Sequence, residues 1–197
     1  MLLYSTNNSA LKADLKEAVL KSLAPDKGLY MPEFIPTLPA DFIQALPTLS
    51  FQEIAFEVAK TLFQGFIPEA DLKTIIERSI TFAAPVHMLD DRAGSLELWH
   101  GPSLAFKDFG ARFMAALMSY FNQGNDKKLS ILVATSGDTG GAVAFGFLDV
   151  PGIEVTILYP KGKVSLLQEK QLTTLGSNIK AIEIDGTFDD CQALVKE

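Results

Sequence analysis

The sequence predicts an α/β protein: a mostly helical region over residues 1–84, then βαβ units of a parallel sheet over residues 85–197. Three observations predict it. The runs Ile131–Thr135, Val155–Tyr159 and Ile179–Ile184 are rich in β-branched or apolar residues, and a helix signal follows each. Strands that alternate with helices imply βαβ units. Upstream of Pro85 the apolar residues recur instead at helical spacing. Finally, the 197 residues are 48% hydrophobic and 21% charged, an ordinary globular composition with enough chain for a core.

In chain order, Ser9 is placed to cap a first helix running to about Leu23, which Ala24-Pro25 ends. Gly28-Leu29-Tyr30-Met31-Pro32, with Pro36, Pro39 and Pro47, marks an irregular connector. Ser50 and Glu53 form a capping-box pattern, and Phe51, Ile54, Ala55, Val58 and Leu62 make one apolar face behind it. Pro68 suits the first turn of a third helix carrying Leu72, Ile75 and Ile76. Past Pro85, Val86–Leu89 and Leu96–Trp99 read as short strands around the turn at 90–95. A helix over Lys107–Phe121 carries the stripe Phe109, Phe113, Leu117 and Phe121, read as core packing. Strands buried in a parallel sheet read as near-continuous apolar runs, as Leu129–Ala134 and Val155–Tyr159 do.

The charge balance excludes several classes. Seventeen basic residues against 24 acidic give a net charge of −7, with no Lys/Arg cluster. Such a surface attracts neither nucleic acid nor an anionic membrane. The single cysteine, Cys191, cannot form an internal disulfide, and His87 and His100 stand in no Cys/His cluster, so no metal site is expected. The longest apolar stretch, Gly140–Leu148, falls short of a membrane span. Lys12, Asp14, Lys16 and Glu17 interrupt any signal-peptide core. A cytoplasmic protein is expected.

Two loops carry the chemistry. In Thr135-Ser136-Gly137-Asp138-Thr139-Gly140-Gly141 a strand runs through small residues into a helix. Helix N-termini present unpaired N–H groups, and glycines let an anion approach the backbone, so this is a carboxylate or phosphate cradle. A plain capping turn at Asp138 or Thr139 is the competing reading. The glycine spacing matches neither a dinucleotide fingerprint nor a Walker A loop. In His100–Gly110, Lys107 begins an apolar helix between Phe106 and Phe109. Burial and the helix dipole would favour its neutral, nucleophilic form, while Asp108 opposes them.

Four stretches resemble, in order, the threonine synthase family of fold-type II pyridoxal-phosphate enzymes, whose fold is tryptophan synthase β-like. They are His100–Gly110, Ala134–Gly140, Tyr159–Ser165 with Gln168, and Asp185–Gln192. Glu17–Val19 and Gly28–Pro32 fit it more loosely. The resemblance implies that Lys107 holds pyridoxal 5'-phosphate covalently and acts as the catalytic amine. It implies that Asp138 lies beside the cofactor ring, and that Thr135, Ser136, Gly137 and Thr139 bind the substrate carboxylate. The implied reaction converts O-phospho-L-homoserine and water to L-threonine and phosphate. Ser165 and Gln168 read as a capping box, and Lys161 and Lys163 as a solvated turn rather than a phosphate contact.

Two alternatives stay open. One is a sister pyridoxal-phosphate lyase of the threonine dehydratase or cysteine synthase type, against which Asp138 and Phe188-Asp189-Asp190 speak. The other is a non-catalytic α/β module that merely holds an anion. In the family, the loop seating the cofactor phosphate and the partner of the pyridine nitrogen lie downstream of the fourth motif. The 197 residues are therefore expected to be an incomplete front portion, inactive alone.

Overall fold

The computed structural model describes residues 2–196, in two compact units that meet in sequence at Ile80–Thr81. The first unit opens with strands, the second of which falls where the start of a helix was expected. β1 (Leu2–Ser5) lies between β2 (Lys12–Asp14) and β3 (Tyr30–Pro32), antiparallel to both. Ser9 therefore caps no helix. The chain after it is drawn into pairing with Leu2–Tyr4, which buries Leu3 and Ala13. α1 (Leu15–Lys21) starts only after that pairing, with the Asp14 carboxylate accepting the Glu17 N–H at 2.7 Å.

The proline-rich connector holds β3, a short α2 (Ala40–Ala45) and a 3-10 turn at Leu46–Thr48. From Ser50 onward the helical reading holds. α3 (Phe51–Phe63) has the complete capping box: Ser50 Oγ accepts the Glu53 N–H, and Glu53 Oε2 accepts the Ser50 N–H at 2.7 Å. α4 (Glu69–Ser79) buries Leu72, Ile75 and Ile76, with Pro68 at its N-cap, one position earlier than expected. The anticipated face of α3 is only half-buried, and Phe51 is exposed.

The second unit begins with a hairpin of β4 (Val86–Met88) and β5 (Gly94–Leu96). β5 starts earlier than expected because Asp90 Oδ1 accepts the N–H groups of Arg92 and Ala93, which tightens the turn. There follow α5 (Lys107–Asn122), β6 (Leu129–Ala134), α6 (Asp138–Phe147), β7 (Ile153–Pro160), α7 (Leu166–Thr173), β8 (Ile179–Ile184) and α8 (Phe188–Lys196). The three strands are parallel in the order β6-β7-β8.

On the central strand, Ile153, Val155, Ile157 and Tyr159 are buried on one face. β6 is not buried throughout, despite its apolar run. It is an edge strand among the described residues, and Leu132 is 53% exposed. Of the α5 stripe, Leu117 and Phe121 are buried with Ala111, Ala115 and Met118, while Phe109 and Phe113 are half-buried. α5 packs tightly on α6: a side chain at Gly146 would stand 3.0 Å from the Ala111 backbone. The loop after β6 leads into α6 from the carboxyl end of the sheet, where open α/β folds place their sites.

Candidate functional site

The loop before α5 folds around a buried carboxylate. Asp108 has no solvent exposure. It accepts the Ser103 N–H at 2.9 Å and the Ser103 Oγ–H at 2.6 Å. Gly101 packs so closely on it that a side chain there would collide with Asp108 Oδ2. A carboxylate at the second residue of a helix also meets the positive end of the helix dipole. Asp108 is thus directed into the loop and not onto Lys107, the interaction expected from the sequence. Between Ser103 and Asp108, Leu104 sits at φ 63°, a left-handed conformation that bulky residues seldom adopt.

Lys107 is the first residue of α5. It is half-buried rather than enclosed, its Nζ lies 4.6 Å from the centroid of the exposed Phe106 ring, and it makes no ion pair among the described residues. Its side chain lines an open, largely apolar cleft of about 410 Å³ with Phe106, Phe109, Met114, Val143 and Thr139. Thr139 comes from the start of α6, so the cleft joins the lysine loop to the Gly-rich loop.

The Gly-rich loop is organised by Thr135. Its N–H reaches Leu158 O at 3.0 Å, continuing the sheet by one residue. Its Oγ1 accepts the N–H groups of Gly137 (3.0 Å) and Gly140 (2.8 Å), and the hydroxyl donates to Gly137 O at 3.2 Å. At 1% exposure with its hydroxyl fully used, Thr135 builds the loop and presents no donor to a ligand, in contrast to its expected role. Gly140 is pressed against it, so a side chain there would collide with the Thr135 methyl. Gly137 has φ 145°, open essentially to glycine alone.

Ser136, Asp138 and Thr139 are exposed. Among the described residues the hydroxyls of Ser136 and Thr139 and the N–H groups of Asp138 and Thr139 have no partner. These are the orphan donors of a helix N-terminus, suited to a carboxylate.

Sequence reasoning missed a set of contacts from α7. Ser165 and Gln168 do form the capping box. The Gln168 amide goes further: Nε2 donates to Asp138 Oδ1 at 2.7 Å. One turn on, Gln171 Nε2 donates to Ser103 O at 3.4 Å. The spacing of three puts both glutamines on one face of α7, a signal available in the sequence, but their partners lie 30 and 68 residues away. Lys161 and Lys163 are exposed, and Lys161 stands 3.8 Å from Glu183, a solvated turn. In the fourth motif Asp190 caps α8 by accepting the N–H and hydroxyl of Thr187. Those two bonds hold its carboxyl below the usual range. Burial pushes the Cys191 thiol up. Among the described residues no His, Cys, Asp and Glu cluster could hold a metal ion, and no helix is long and apolar enough to cross a membrane.

Comparison with known proteins adds to this geometry. Residues 3–80 match the family described as threonine synthase N terminus, and residues 96–197 match that described as pyridoxal-phosphate dependent enzyme. The threonine synthase of Haemophilus influenzae is 44% identical over 197 residues, covering 100% of this chain and 45% of that protein. That of Escherichia coli is 42% identical over 197 residues, covering 100% and 46%. The crystal structure of Escherichia coli threonine synthase superposes with a TM-score of 0.89 at 42% identity, covering 100% of this chain and 45% of that one. A structure described as PLP-bound threonine synthase from Brucella melitensis gives 0.90 at 38% identity, covering 100% and 44%. The chain spans about half the length of the relatives it matches.

Proposed function

The chain belongs to the pyridoxal-phosphate dependent enzyme family, and from that premise we propose that it carries the lysine and carboxylate-binding part of a cytoplasmic threonine synthase acting on O-phospho-L-homoserine. The observation that carries this reading is the cleft shared by Lys107 and Thr139, where a primary amine and a carboxylate cradle border one apolar space.

The residues present fit the cofactor. A cleft of about 410 Å³ walled by Phe106, Phe109, Met114 and Val143 suits a planar pyridine ring, and the Lys107 amine at its edge suits an aldehyde. Pyridoxal phosphate, when bound, supplies that aldehyde and a ring that stores the electron pair released at the substrate's α carbon. Lys107 would hold the cofactor and, when the substrate amine replaces it, move protons at the α and β carbons. Ser136 and Thr139, with the first N–H groups of α6, would bind the substrate's α-carboxylate and orient its α C–H bond toward Lys107. Asp138 would hold the polar edge of the cofactor ring. Thr135 and Gly137 support this by shaping the loop. Phosphate would leave from the γ carbon, and water would add at the β carbon.

The test is phosphate release from O-phospho-L-homoserine, set against ammonia release from L-threonine, with pyridoxal phosphate supplied and the chain joined to the downstream half of a threonine synthase. Phosphate release that is lost in Lys107→Ala, together with borohydride fixation of the cofactor on Lys107, is the expected result. Ammonia release alone would assign a sister lyase, and fixation elsewhere would remove Lys107 from the site.

A further inference from the structure

Gln168 has two jobs in the fold, and only one of them needs a glutamine. As the third residue of α7 it completes the capping box: Oε1 accepts the Ser165 N–H at 3.2 Å, and its own N–H reaches Ser165 Oγ at 3.3 Å. A glutamate serves that purpose equally well. The second job belongs to the amide nitrogen. Nε2 donates to Asp138 Oδ1 at 2.7 Å, a short bond to a charged acceptor. The same amide lies flat against Gly137: a methyl group there would stand 2.5 Å from Nε2 and 2.7 Å from Oε1. The absence of a side chain at Gly137 is what lets the amide reach Asp138.

The capping box fixes the Gln168 side chain from behind, so the amide meets Asp138 as a pre-set donor. It gives the carboxylate a hydrogen bond from a neutral amide. Gln171, one turn along, holds the Ser103 carbonyl. Ser103 is the residue that Asp108 binds ahead of Lys107. One face of α7 therefore touches both loops of the candidate site.

We propose that Gln168 is a positioning residue, which fixes the orientation of the Asp138 carboxylate and the course of the backbone at Gly137. Its consequence for catalysis rests on the functional reading above. The geometric part does not.

Gln168→Glu separates the two jobs. It keeps an acceptor for the cap but places a second carboxylate against Asp138. The double variant Gln168→Glu/Asp138→Asn reverses donor and acceptor and restores the bond. Two readouts are taken on the purified protein. Without cofactor, amide hydrogen exchange of residues 136–141 is measured alongside the thermal midpoint. With pyridoxal phosphate added, the absorption band that disappears in Lys107→Ala is followed.

The expected result has three parts. Gln168→Glu melts within about 2 °C of the parent, because the cap survives. Exchange of the loop amides quickens about fivefold, the effect of one lost hydrogen bond. The Lys107-dependent band shifts or weakens, and the double variant restores the slow exchange. Loop exchange and band unchanged in Gln168→Glu would overturn the proposal and leave Gln168 as a helix cap alone. Quickened exchange that the double variant fails to reverse also overturns it, since the change would not run through Asp138. Quickened and reversed exchange in a protein with no Lys107-dependent band would uphold the positioning of Asp138 and defeat the functional reading instead.

Discussion

Asp108, fully buried at the second residue of α5, takes both donors of Ser103: the N–H at 2.9 Å and the hydroxyl at 2.6 Å. The pair closes the loop that delivers Lys107 to the cleft, and it spans Leu104 in its left-handed conformation. The lysine is thus held at the helix start by its neighbour's carboxylate, through a serine four residues before it.

Ser103→Ala removes the shorter of those bonds and leaves a buried carboxylate short of a donor. The expected loss of stability is about 2 kcal/mol, from desolvation that is no longer repaid. Urea unfolding checks it, and a loss under about 0.5 kcal/mol would mean that solvent reaches Asp108 in the variant.

Thr135 and Ser136 are adjacent hydroxyls with opposite roles. Thr135→Val strands the N–H groups of Gly137 and Gly140, with an expected cost of about 2–3 kcal/mol. Ser136→Ala touches no internal bond and should alter stability by less than about 0.5 kcal/mol. On the proposed function, with the downstream half of the enzyme joined to the chain, it raises KM for the amino-acid substrate about tenfold, from one lost carboxylate donor. Thermal denaturation and steady-state kinetics on the two variants read this division. Equal destabilisation by both would reject it.

Gly137→Ala meets two obstacles at once. Its φ of 145° is strained for any L side chain, and the new methyl group runs into the Gln168 amide. A loss of about 2–4 kcal/mol is expected, with the loop displaced. A variant as stable as the parent would show that the loop can take another backbone path.

Acid weakens the fourth motif in a defined direction. The two bonds from Thr187 hold the Asp190 carboxyl below its ordinary value. A depressed folded-state value means stability that is present above the ordinary aspartate range, about pH 4, and lost as pH falls through the lower folded value. Asp190→Asn should flatten the acid limb of unfolding midpoint against pH from about pH 4 downward. An unchanged limb would show that Asp190 contributes nothing to it.

Features legible in the sequence were those whose partners lie close along the chain. The capping boxes Ser50/Glu53 and Ser165/Gln168 span three residues, and each was readable before any tertiary contact existed. So were the three strands of the parallel sheet, since each run is rich in β-branched or apolar residues and a helix signal follows it. Lys107 at the head of α5 followed from the end of one periodicity and the start of another. The small antiparallel sheet of β1, β2 and β3 was invisible for the converse reason. Its strands have three or four residues, too few for a pattern, and β1 binds β3 across a long stretch of chain.

The residue types and their order determined the chemistry on offer: an amine beside an apolar helix, and a glycine-rich turn into a helix N-terminus. Tertiary structure decided which groups are free to use it. Thr135 and Ser136 look alike in sequence, yet one is consumed by the loop and the other faces solvent. Asp108, next to Lys107 in the chain, is spent on Ser103, while Asp138 meets Gln168 from a helix 30 residues on. A hydrogen bond needs its partner within about 3 Å, and for these contacts the folded chain alone brings the partners to that distance.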